Sequence, residues 1–109
     1  MLLSVDSFIY ANFPTISIAE AKPLYERALA GNEKALGADH PGTLKMANSL
    51  GAFLLELDAV AEARALFERA LAGYEASLGS GHLDTLAVVD NFADLLSETG
   101  EVRDEKEDG

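Results

Sequence analysis

Leu24-Tyr25-Glu26-Arg27-Ala28-Leu29-Ala30-Gly31 returns 42 residues later as Leu66-Phe67-Glu68-Arg69-Ala70-Leu71-Ala72-Gly73. The same offset holds outward from this pair. Ala19-Glu20-Ala21 matches Ala61-Glu62-Ala63, Leu36-Gly37 matches Leu78-Gly79, His40 matches His82, and Thr43-Leu44 matches Thr85-Leu86. About 18 of the 42 aligned positions are identical without a gap, and a period of this length marks a helical solenoid, where each unit covers its neighbour's apolar face.

Each unit reads as two helices. From Val60 to Leu78, the residues Ala63, Leu66, Phe67, Ala70, Leu71, Tyr74 and Leu78 recur at the three- and four-residue spacing of one helical face. Glu62, Arg64, Glu68, Arg69 and Glu75 take most of the other side. Glu20 to Leu36 repeats the plan, with Pro23 expected in its first turn, where a missing N–H is harmless. Gly37 and Gly79 stand where a left-handed C-terminal cap calls for glycine. The turn formers Asp39-His40-Pro41-Gly42 then lead into the next helix, read as Thr43 to Leu57, with its counterpart at Asp84 to Ser97. Leu44, Ala47, Leu50, Gly51 and Leu54 share a face in the first of these, and Leu86, Val89, Phe92, Ala93 and Leu96 in the second. Small residues at Gly51, Ala93, Ala21, Ala28, Ala63 and Ala70 predict close helix–helix approach. No strand alternation or hairpin signal occurs, so the fold class is all-α, a stack of helical hairpins.

Composition limits the function. The chain has 109 residues, 49% of them apolar, enough for the core of one domain. Its formal charge of −11, from 19 acids against 8 bases, repels phosphates and anionic lipid headgroups. Nucleic acid and membrane surfaces are therefore not expected partners. No apolar run approaches the roughly 18–20 residues that span a bilayer, and the mean hydropathy is only +0.07. Without cysteine there is no disulfide framework, thiolate zinc site or cysteine nucleophile. The expected location is the cytoplasm. Met1 to Phe13 is apolar but carries no Lys or Arg and includes Asp6, which fits a degenerate first helix (residues 1–17) better than a secretory signal. Glu98 to Gly109 holds six acids and two bases and reads as a solvated tail, with residues 101–109 beyond the last helix.

Taken together, Leu50-Gly51, Ala63, Phe67 and Ala70, with Phe8, Ala21, Tyr25 and Ala28 in the preceding unit, resemble the tetratricopeptide repeat in its 42-residue, kinesin light chain-like form. Ala35-Leu-Gly-Ala-Asp-His-Pro-Gly-Thr43 is similar to the loop joining repeats in that family. The resemblance covers residues 18–100: the second helix of one repeat at 18–36, a full repeat at 43–78, and the first helix of the next at 84–97. Ile9, Asn12 and Pro14 depart from the pattern in the first unit, as does Glu105 in the third. One complete repeat flanked by a degraded one and a half one implies uncapped ends through which the chain self-associates, or a fragment of something longer.

The resemblance implies a short right-handed solenoid that acts as a protein-interaction scaffold or adaptor, not an enzyme. A regulatory repeat appendage of a larger multidomain enzyme or signalling protein is the alternative. The first helix of each hairpin is expected to line a concave face where a peptide or helix lies. By register that face carries Lys45, Asn48, Ala52, Leu55 and Glu56, then Ala87, Asp90, Asp94, Ser97 and Glu98. Asn48 matches a groove asparagine whose amide both donates to and accepts from a peptide backbone. Four acids against Lys45 favour a basic ligand, unlike the acidic cargo motifs of kinesin light chains.

Other chemistry is not expected. His40 and His82 occupy equivalent loop positions, which argues for turn structure over metal binding or base catalysis. Ser77 and Ser80 lie near His82, but their counterparts Ala35 and Ala38 carry no hydroxyl, against a nucleophile there. No carboxylate pair stands out, no phosphate-cradling glycine run exists, and no catalytic residue, metal or cofactor is assigned.

Overall fold

A computed structural model describes residues 18–100. The expected first helix at 1–17 and tail at 101–109 lie outside the described residues. Four helices follow in order: α1 (Ile18–Leu36), α2 (Pro41–Glu56), α3 (Val60–Leu78) and α4 (Leu83–Thr99). Among the described residues there is no strand. Sequential helices pack as neighbours, most extensively α2 on α3, and α2 also touches α4 directly. The result is the expected stack of hairpins.

The core is built from the repeated apolar positions. Ala63, Phe67, Ala70 and Tyr74 of α3 are buried against Leu44, Ala47, Leu50 and Leu54 of α2. Leu66, Leu71 and Leu78 form half-buried shoulders of the same cluster. Gly51 allows the close approach anticipated of it: a Cβ there would fall 2.7 Å from the Phe67 ring. Gly73, which the spacing does not single out, does the same for Leu44, only 2.6 Å from where its Cβ would stand.

Helix α4 departs from its expected face. Val88 and Leu95 are wholly buried, whereas Leu86 and Val89 remain more than two-fifths exposed and Ala93 is exposed. The physical reason is that a first helix of a hairpin has two apolar faces. One meets its own second helix, as Leu44, Ala47, Leu50 and Leu54 do. The other meets the preceding unit through Met46 and Phe53, the counterparts of Val88 and Leu95. Phe53 stacks on Tyr25 of α1 with ring centroids 4.9 Å apart.

Three local expectations need correction. Helix α1 starts at Ile18, so Pro23 is its sixth residue, beyond the first turn, and deprives the helix of one hydrogen bond. Helices α2 and α4 begin at Pro41 and Leu83, before Thr43 and Asp84, because the histidines cap them. Gly79 has φ 94° but ψ 157°, not the left-handed helical cap but a region open essentially to glycine alone. The left-handed cap occurs at Gly100, with φ 85° and ψ 0°. Its 42-residue counterpart Asp58 also has a positive φ, 63°, in the turn between α2 and α3.

Candidate functional site

Two copies of one loop set where α2 and α4 begin. His40 Nδ1 accepts from the Gly42 N–H at 2.9 Å, and His82 Nδ1 accepts from the Asp84 N–H at 3.0 Å. Each imidazole thereby satisfies an N–H that the first turn of a helix leaves open. Three residues further on, the fully buried Thr43 donates its hydroxyl to the Gly37 carbonyl at 2.7 Å, and Thr85 donates to Gly79 at 2.8 Å. The repeated Gly-x-x-His-x-x-Thr spacing is therefore a clamp that joins the end of one helix to the start of the next. Tyr74 of α3 adds a hydrogen bond to the Pro41 carbonyl at 3.2 Å. Burial, with a smaller contribution from the Asp84 carboxylate, pushes its phenol pKa up.

So placed, α2 and α4 lie side by side. Asn91 Nδ2 donates to Asn48 Oδ1 across them at 3.0 Å. This bond fixes the surface the two helices share. On α2, Lys45 and Ala52 flank Asn48 at three and four residues, with Glu56 one turn further. On α4, Ala87, Asp94 and Glu98 flank Asn91 in the same way, beside Asp90 and Ser97.

Lys45, Glu56, Ala87, Asp90, Asp94, Ser97 and Glu98 are exposed, and Asn48 and Ala52 are half-buried. Leu55 is not available: it is 7% exposed and belongs to the core, because an apolar side chain at the end of α2 gains more from the cluster than from water. Its counterpart Ser97 stays at the surface. Glu98 lies in the last turn of α4 and is not part of a tail.

Asn91 is the residue the sequence reading missed. Its counterpart is Ser49, so strict 42-residue matching gives it no weight, yet the contact between adjacent units joins residue 48 to residue 91, one step out of register. The bond uses one acceptor of Asn48 and one donor of Asn91. Each amide keeps further donor and acceptor capacity. Among the exposed charged groups on this surface, Glu56, Asp90, Asp94 and Glu98 face one cation, Lys45.

Of the two serines near His82, Ser80 is exposed and Ser77 is tied to its own helix. The Ser77 hydroxyl donates to the Gly73 carbonyl one turn back at 2.8 Å. Among the described residues no group of three or more His, Cys, Asp or Glu is gathered to hold a metal ion, and no helix is long and apolar enough to cross a membrane.

Residues 43–104 match one family model of the tetratricopeptide repeat, and residues 17–42 match a second model of the same repeat. No curated protein matches the chain.

Proposed function

The chain belongs to the tetratricopeptide repeat family, and from that premise we propose that it is a scaffold or adaptor that binds an extended peptide or a helix on the surface shared by α2 and α4. Repeats of this family are protein–protein interaction modules and typically non-catalytic. The 42-residue period and the Gly37–Thr43 loop favour the kinesin light chain-like branch, and a cytoplasmic partner goes with that reading.

The observation that carries the proposal is the Asn48–Asn91 bridge set among exposed acids. Paired amides offer a peptide backbone both a donor and an acceptor. Glu56, Asp90, Asp94 and Glu98 around them supply a negative field, so the favoured ligand bears Lys or Arg. Anisotropy titrations with matched basic, neutral and acidic peptides test this. The basic peptide binds tightest, and its affinity drops as salt passes the ~0.1 M at which charges are screened within ~10 Å. Asp90→Ala with Asp94→Ala weakens it several-fold, at about 1 kcal/mol for two rim charges. Preference for the acidic peptide overturns the charge argument, and no binding by any peptide overturns the site.

A further inference from the structure

The two ends of the described stack are apolar and unlike. At one end Ala21, Leu24, Tyr25 and Ala28 of α1, with Met46, line an open groove. At the other, Leu71 of α3 and Val89, Phe92, Ala93 and Leu96 of α4 line a second groove with almost no polar surface. Shifted by 42 residues, these are the two sides of a contact the chain already makes internally. Leu66 of α3 shares a pocket with Leu29, Leu50 and Leu54. The counterparts of those three are Leu71, Phe92 and Leu96, and the counterpart of Leu66 is Leu24.

We propose that a second copy of this chain docks head to tail, its α1 seated on the α3–α4 end of the first as α3 is seated on the α1–α2 end within one chain. Charge supports the pairing independently. Inside the chain two ion pairs join α1 to α3: Lys22 to Glu62 at 3.6 Å and Glu33 to Arg69 at 2.7 Å. Moved one repeat along, Lys22 becomes Arg64 and Glu62 becomes Glu20 of the second copy. Glu33 becomes Glu75, and Arg69 becomes Arg27 of the second copy. Both signs are preserved. Arg64 already stands at the rim of the receiving groove, 5.9 Å from the Phe92 ring centroid. Moreover, α4 carries four acids and no base, whereas α1 carries three of each.

One departure sets the fit. Ala93 has a methyl group where Gly51 has none, so the Tyr25 ring of the incoming copy sits further out than Phe67 does over Gly51. The interface is heterologous: each copy that docks presents the same end of the described stack again, and association continues past the dimer. This inference does not rest on the peptide-binding reading of the α2–α4 surface, so peptide binding and self-association succeed or fail separately.

Sedimentation velocity on the full chain across a concentration series tests it. The weight-average mass is expected to climb beyond two copies. Leu24→Glu disables one end and Val89→Glu the other, at positions exposed enough to leave the fold intact. Each alone lowers the association constant by roughly tenfold or more, since the interface then has to bury a carboxylate. Mixed in equal amounts, the two variants form a 1:1 dimer and nothing larger, because one working end of each kind remains. Arg27→Glu also weakens association, and adding Glu75→Arg in the same chain restores it.

A wild-type chain that stays monomeric throughout overturns the proposal and points to residues 1–17 or 101–109 covering the ends. A Leu24→Glu chain that associates as well as wild type also overturns it, in favour of a two-fold contact between like ends.

Discussion

Tyr74 is tied to its surroundings in two ways that one substitution separates. Its hydroxyl donates to the Pro41 carbonyl, and burial raises its pKa. A raised folded-state value means the native chain holds its proton after the unfolded chain has released it. The stability this represents is therefore complete below the ordinary tyrosine value of about 10 and is lost as pH rises through and above it. Tyr74→Phe should cost about 1 kcal/mol at neutral pH through the lost hydrogen bond and should flatten the alkaline decline. Urea melts from neutral pH to above 10 measure both effects, and an unchanged alkaline slope contradicts the assignment. At the clamps, His40→Ala and His82→Ala should each cost ~1 kcal/mol, the usual worth of an N-cap. Thr43→Val should cost roughly 1–2 kcal/mol, because it leaves the buried end of the Gly37 carbonyl's bond unmade. Thermal melts in which His→Ala is neutral at both positions contradict the capping role.

The repetition of His40 as His82 at a 42-residue spacing argues for turn structure before any geometry is known, whereas Thr43 and Thr85 are legible only as a matched pair. What the spacing could not reveal was the chemistry. An imidazole nitrogen accepting a helix N–H, and a threonine reaching back six residues to a glycine carbonyl, depend on backbone angles that the side-chain pattern does not encode. Asn91 was hidden for a different reason. Comparison of like with like looks 42 residues ahead, while adjacent helices of a twisted stack meet one residue off that register.

At the scale of the helix, nearly identical sequence acquires different consequences from what lies beside it. Gly31 and Gly73 end octapeptides that differ only at Tyr25 and Phe67, yet a Cβ at Gly31 meets nothing within 4 Å, while one at Gly73 strikes Leu44. Gly31→Ala should therefore stabilise by about 0.5–1 kcal/mol through helix propensity alone. Gly73→Ala should destabilise, since overpacking a closed core typically costs ~1–3 kcal/mol and exceeds that gain. Opposite shifts in melting temperature are the expected result, and shifts of the same sign contradict the packing described for α2 on α3. The same dependence on neighbours explains α4. Its apolar stripe at Leu86, Val89, Phe92, Ala93 and Leu96 was legible as a face, but its partner was not. Periodicity records that a face is apolar and says nothing of whether a neighbour covers it. Leu55 was misplaced by the reverse error, a residue on the ligand-facing stripe by spacing that the end of the hairpin draws into the core.

Across the whole molecule, the repeat, the all-α class and the helix order were readable because every unit states them twice. Function is less redundant. The candidate surface rests on a few polar residues that differ between units, Asn48 against Asp90 and Ala52 against Asp94, and their value lies in being brought together by the stack. The central claim is that the face formed by α2 and α4, and not the outer helices or the end grooves, receives a Lys/Arg-bearing peptide. Amide chemical-shift mapping during titration with a Lys/Arg-bearing peptide, at a protein concentration where the chain is monomeric, tests this most directly. Shifts concentrated at Lys45, Asn48, Ala87, Asp90, Asn91 and Asp94, with the Asn48 and Asn91 side-chain amides moving together, are the predicted result. Shifts confined to α1 and α3, or to the grooves around Leu24 and Val89, contradict it.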